Sequence, residues 1–149
     1  MQSVEISGLK EIQKRLEGYP EAMKKARSEF FEEAGREMLS TVRRPIGGQG
    51  YVANVQDRHV GSGGGYAAVR AKAKTELRGY AAGYVTNALE GGHVQAPGRY
   101  VQAMGKKLKA NRVKGKYMYR KTAAELPQIA ERGAQEIEKK AMAYLEGNG

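Results

Sequence analysis

The sequence predicts an α+β fold, with long N-terminal and C-terminal helices packed on a small antiparallel β-sheet and long flexible loops between them. Three observations carry this expectation. Apolar residues recur at steps of three and four through the first 44 residues and again after Thr122. Between these stretches, "AVRAKAK" (Ala68 to Lys74) alternates small apolar residues with cations, the period of a strand. Glycine clusters separate the two patterns. The length, 149 residues, is that of one domain.

The elements follow in order. Residues 7–44 read as helix in two pieces. Ser7 is a candidate N-cap for Leu9, Ile12 and Leu16, and Gly18-Tyr19-Pro20 interrupts. Pro20 suits a first helical position and Glu21 the positive end of the dipole. The second piece carries Met23, Ala26, Phe30, Ala34, Met38 and Val42 on one face. It stops at Pro45. Residues 46–65 read as a flexible loop, because "GSGGG" (Gly61 to Gly65) has the highest entropic cost of ordering. Fast amide exchange is expected from Gly47 to Gly65. Residues 66–85 read as a β-hairpin, with a turn at Thr75 to Arg78 and "GYAAGYV" (Gly79 to Val85) returning. Residues 86–91 read as a short helical turn, capped by Thr86 or Asn87 and ended by Gly91 or Gly92. Residues 93–116 read as a basic loop. The C-terminal helix spans 122–146, with Thr122 and Glu125 as a capping box, Leu126, Ile129, Ala130, Gly133, Ile137, Ala141 and Tyr144 on one face, and Pro127 near its start.

Composition narrows the function. The chain has no cysteine, which excludes disulfides, a thiolate zinc site and a cysteine nucleophile. No stretch approaches the roughly 20 apolar residues of a membrane span. The opening MQSVEISGLK lacks the pattern of a signal peptide. A soluble protein made in a cytoplasm is expected. The net charge of +10 is concentrated in the middle: residues 46–125 hold 14 Lys/Arg against 4 Asp/Glu, and the two ends are nearly balanced. From Gly91 to Ala124 there is no acid. Such a segment seeks a polyanion or an acidic protein surface.

Catalytic and cofactor motifs fare poorly. Glu90 and His93 flank Gly91-Gly92, which breaks the helical geometry that would align them. The other histidine, His59, and the single aspartate, Asp57, sit beside the glycine loop, so three convergent metal ligands are not in sight. "GSGGGY" lacks the lysine and Ser/Thr of a phosphate-binding loop. No enzyme activity, metal or cofactor is expected. Glu90 reads instead as an ion-pair partner within the chain or across an interface. Two binding readings remain. Tyr80, Tyr84, Tyr100, Tyr117 and Tyr119 among cations can stack on bases, although no helix-turn-helix, zinc-finger or RNP pattern is present. "KGKYMYRK" (Lys114 to Lys121) mixes aromatics, Met and Arg, the types enriched in protein interfaces.

Three stretches, in this order, resemble the small tail-completion, or tail terminator, proteins of long-tailed bacteriophages. They are "ISGLKEIQKRLEGYPEAMKKARSEFFEEAGREML" (Ile6 to Leu39), "GYVTNALEGGH" (Gly83 to His93) and "VKGKYMYRKTAAEL" (Val113 to Leu126). The basic stretch between His93 and Val113 is longer than in many members. The resemblance implies a structural virion protein, assembled in the host cytoplasm and resident at the head–tail junction. It implies a homo-oligomeric, typically hexameric ring that caps the tail tube protein, meets the head-side connector or stopper, and surrounds DNA in its lumen, with no membrane partner. The interface residues expected are Glu90, Gly91, Gly92, His93, Arg99, Tyr100, Lys116, Tyr117, Met118, Tyr119 and Arg120. Lys106, Lys107, Lys109, Arg112 and Lys114 are expected to face DNA or an acidic partner. The alternative is a nucleic-acid-binding structural protein using the basic central segment.

Overall fold

The computed structural model describes residues 2–47, 50–62, 65–94, 100–101, 105–107 and 112–147. It is an α+β structure with a long helix at each end and small β-pairs between them. The element order is α1 (Gln2–Arg43), a 3-10 turn (Arg44–Ile46), α2 (Gly50–Asn54), β1 (Gln56–Val60), β2 (Ala67–Ala71), β3 (Glu76–Leu77), β4 (Tyr80–Ala81), α3 (Ala82–Gly91), β5 (Gly92–Val94), β6 (Tyr100–Val101), β7 (Lys106–Lys107), β8 (Arg112–Lys114) and α4 (Met118–Leu145). Among the described residues the strands form four two-stranded sheets, β1–β2, β3–β4, β5–β8 and β6–β7. The chain divides into two compact units. One comprises Met1–Glu37, Arg58–Ala68 and Glu125–Gly149, the other Met38–Asp57 and Val69–Ala124.

In the first unit, α1 and α4 run antiparallel. Glu37 pairs with Arg132 and Glu29 with Lys140, so residue numbers fall on one helix as they rise on the other. Ala26 and Ala34 of the expected α1 stripe are buried, as are Ile129 and Gly133 on α4, whereas Leu126 and Ala130 are exposed. Gly133 is the seat of the Phe30 ring. A Cβ there would lie 1.9 Å from Phe30 Cε2. Gly18 does the same for Tyr144, whose hydroxyl would meet an added Cβ at 2.2 Å. The Tyr144 ring also lies 6.1 Å from that of Tyr19. This packing explains why α1 runs unbroken through Pro20, against the expected two pieces. A proline inside a helix costs about 3 kcal/mol locally, and tertiary contacts around it override that preference. Gly35 lets β1 and β2 approach α1, with Ala67, Arg58 and Val60 atoms at 3.6–3.7 Å from its would-be Cβ. Arg58 donates to the carboxylate and backbone carbonyl of Glu32.

In the second unit, Val42, Ile46, Val52, Leu89 and Met118 form the core, with Val69, Leu77, Val85 and Tyr119 packed against it. Several expectations change here. Residues 46–65 are not one long loop, because they contain α2 and β1, with Val52 and Gln56 fully buried. The glycines at either end hid an ordered middle, and fast exchange is no longer expected across it. The returning strand at 79–85 is absent. Only Tyr80–Ala81 is extended, and α3 begins at Ala82 rather than 86. Ala82, Thr86 and Leu89 are buried at helical spacing, so a run of small residues that suits either period takes the helical one. Neither Thr86 nor Asn87 is a cap, since the N-cap is Ala81. The basic loop at 93–116 contains β5 to β8. Gly92 pairs with Lys114, His93 with Val113, Val94 with Arg112, Tyr100 with Lys107 and Val101 with Lys106, all antiparallel. Finally, α4 starts at Met118 instead of 122, which places Pro127 in its interior.

Gly133→Ala tests the helix pairing. Alanine favours an exposed helix by up to about 1 kcal/mol over glycine. Here the ring of Phe30 must shift, so a net loss of about 1–3 kcal/mol is expected in urea unfolding. A gain in stability would show that Phe30 does not rest on Gly133.

Candidate functional site

α3 and α4 meet end to end at the corner that holds Glu90. A helix leaves its last carbonyls and first N–H groups without internal partners. At this corner the two sets satisfy each other. Lys116 N donates to Leu89 O at 2.8 Å, and Tyr117 N to Glu90 O at 3.1 Å, closing the C-terminus of α3. The Glu90 carboxylate then reaches α4. Its Oε2 accepts from Tyr119 N at 2.9 Å and its Oε1 from Arg120 N at 3.1 Å. Both oxygens therefore cap the N-terminus of α4, where the helix dipole favours a negative charge. The chain offers no local substitute. Tyr117 precedes α4 in a left-handed conformation (φ 51°), and the first turn contains no acid.

Thr122, the expected N-cap, has a different role. Its hydroxyl is buried inside α4 and donates to Met118 O at 2.8 Å.

The corner tolerates no side chain at two positions. Gly92 has φ +80°, and a Cβ there would lie 2.5 Å from Val113 O. A Cβ on Gly115 would lie 2.4 Å from Glu90 O and 2.7 Å from Gly91 C. These obstacles are backbone atoms, which cannot rotate away. The two glycines let β5 and β8 close against each other beside the cap.

Below the corner lies a polar network that the sequence reading missed. Gln56 is fully buried. Its Nε2 donates to Val52 O at 3.2 Å and to Thr86 Oγ1 at 2.9 Å, and its Oε1 accepts from the Tyr119 hydroxyl. Arg43 donates to Ala53 O at 3.0 Å and Gln56 O at 2.9 Å, and Lys116 Nζ donates to Ile46 O at 3.4 Å. Among the described residues, no buried side-chain nitrogen or oxygen lacks a partner. Burial, and then the negative charge of Glu90, push the Tyr119 phenol up to about 12. A lone glutamine inside an expected loop is no signal in itself.

The expected interface residues thus separate. Glu90, Gly92, His93 and Lys116 to Arg120 come together at the corner, and Gly91 ends α3 there. Glu90 is bound to backbone N–H groups rather than to the cation expected of it. Met118 is 0% exposed and belongs to the core. Tyr119 is half-buried and points its hydroxyl at Gln56. At the surface, Tyr117 is 40% exposed and lies under the Arg120 guanidinium, 4.9 Å from its ring centre. His93 is exposed on β5. Tyr100 stands on β6, Lys106 and Lys107 on β7, and Arg112 and Lys114 on β8. Arg99 and Lys109 lie outside the described residues.

The geometry supports no acid–base pair at Glu90 and His93, because both carboxylate oxygens already accept from α4. Among the described residues, no group of three or more His, Asp or Glu could hold a metal, and no helix is long and apolar enough to cross a membrane.

Two variants probe the cap. Glu90→Ala is expected to cost about 1–2 kcal/mol of stability, and Glu90→Gln, which keeps one acceptor but loses the charge, about half of that. Equal stability of all three proteins in urea would contradict the cap. Tyr119 sets a pH test. Its folded pKa is raised, so the stability it contributes is complete below pH 10 and is lost as pH rises toward 12. Tyr119→Phe should flatten the loss of melting temperature over that window. An unchanged slope would remove Tyr119 as its source.

No protein-family model matches the chain, and neither does any curated protein or solved structure.

Proposed function

We propose that this chain is a structural subunit of a tailed bacteriophage, a tail-completion or tail-terminator protein. It forms a ring at the head–tail junction, caps the tail tube and joins it to the neck. The observation that carries the reading is the corner. Two of the three stretches that resemble the tail-completion family, Gly83 to His93 and Val113 to Leu126, are 20 residues apart in sequence. They interlock through the Glu90 cap and the paired β5 and β8. A motif pair that builds one joint has a shared structural reason to occur together. The joint also presents Tyr117 and Arg120 side by side at the surface, residue types suited to the centre of a protein interface. A ring subunit uses two different faces for its neighbours, so that head-to-tail contacts close. The virion location and the tube and connector partners belong to this proposal, as does a non-enzymatic role.

A second reading is a nucleic-acid-binding structural protein. It is favoured by the acid-free stretch from Gly91 to Ala124, part of which is paired as β-ribbon. A two-stranded ribbon fits the major groove of a duplex.

Electron microscopy and sedimentation of the purified chain, alone and with tail tubes, separate the readings. The ring proposal predicts closed particles of several copies, or rings seated on tube ends. Tyr117→Ala combined with Arg120→Glu should abolish them at unchanged melting temperature. A strictly monomeric chain that leaves tube ends bare would contradict it.

A further inference from the structure

The second unit carries a surface that the corner does not use. Tyr80 and Tyr84 stack on each other, with ring centres 5.8 Å apart and planes 23° apart, yet remain 61% and 66% exposed. Nearby, the Arg78 guanidinium lies 4.8 Å from the centre of the Tyr51 ring, itself 41% exposed. Two stacked tyrosines left open to water offer ring faces on which a planar partner can stack.

The backbone that presents them is strained. Leu77 pairs with Tyr80, so Arg78-Gly79 is a two-residue hairpin turn, with φ 52° at Arg78 and 81° at Gly79. Such a turn favours Asn or Asp followed by Gly, because a long side chain rarely adopts the left-handed region. Lys74 is left-handed too, at φ 55°. Two exposed cations thus occupy the two turn positions where asparagine or glycine would be the relaxed choice. The turns are tied to the tyrosines, since Ala82 N at the start of α3 donates to Thr75 O at 2.8 Å. Strain of this kind at a surface is a starting point for a functional hypothesis.

The surrounding charge identifies the partner class. Between Asp57 and Glu90 the sole acid is Glu76, whereas Arg70, Lys72, Lys74 and Arg78 are all exposed. Cations beside open aromatic faces match a ligand that is both anionic and planar. A duplex buries its base faces in its own stack, and an acidic protein would use the cations but not the ring faces. A single strand offers phosphates and unstacked bases together. We propose that Tyr80 and Tyr84, with Arg78 and Lys74 on the adjoining turns, form a binding site for single-stranded nucleic acid.

The test is fluorescence anisotropy of a labelled oligothymidylate with the full chain over a salt series, with an equal-length duplex and polyglutamate as competitors. The single strand should bind more tightly than the duplex, with an affinity that falls as salt rises. Replacing Tyr80 and Tyr84 together by Ala should weaken it on the order of 100-fold, about tenfold per ring, at unchanged melting temperature. Arg78→Asn should move two readouts in opposite directions. The melting temperature rises as the turn relaxes, while binding weakens and the salt slope falls by about 0.7. Oligothymidylate affinity unchanged in the double tyrosine variant would overturn the site, as would preference for the duplex. Competition by polyglutamate as strong as by the single strand would assign the surface to acidic proteins instead. Anisotropy reads the subunit whether or not it forms rings, so this result and the ring experiment fail independently.

Discussion

One carboxylate joins two helix ends of the second unit. α4 begins after a left-handed tyrosine, with no Ser, Thr, Asp or Asn at its start, and its first N–H groups would otherwise be left to solvent. Glu90 supplies both acceptors from the end of another helix, while the carbonyls of that helix accept from Lys116 and Tyr117. The exchange is reciprocal, so neither helix end is satisfied without the other. It fixes where Met118 enters the core and where Tyr119 meets Gln56. It also brings the backbones so close that Gly92 and Gly115 admit no Cβ.

Much of the fold is legible in the sequence, for physical reasons that also mark the limits. The long helices show because their buried faces repeat at 3.6 residues: Ala26, Ala34, Met38 and Val42 on α1, Ile129 and Gly133 on α4. Their interruptions mislead because local rules are weaker than packing. Pro20 and Pro127 both sit inside helices, and Tyr144 packs on the turn before Pro20. Residues 82–85 misread as strand because alanine, glycine and tyrosine fit either period. The elements α2 and β1 within 46–65 rest on Val52, Val55 and Gln56, buried side chains among many glycines, which composition averages away.

The site is legible only in part. "ALEGGH" and "VKGKYMYRK" stand out in sequence as a corner and as an aromatic–cation cluster, but nothing in either says that they touch. A cap supplied from 29 residues away leaves no local pattern, and Thr122 offers a false one. The structure turns Glu90 from a candidate reactive or ion-pairing group into the joint between two helices. The surface chemistry then passes to exposed residues, Tyr117 and Arg120 at the corner and the Tyr80–Tyr84 stack elsewhere on the same unit.

The role of this joint is most directly read at the two amides it binds. Native-state hydrogen exchange at Tyr119 and Arg120 should show protection comparable to the α4 interior in the unmodified chain. In a Glu90→Ala chain that protection should fall at these two amides well beyond the general loss of stability. Protection at Tyr119 and Arg120 that tracks the rest of α4 in both proteins would contradict the account.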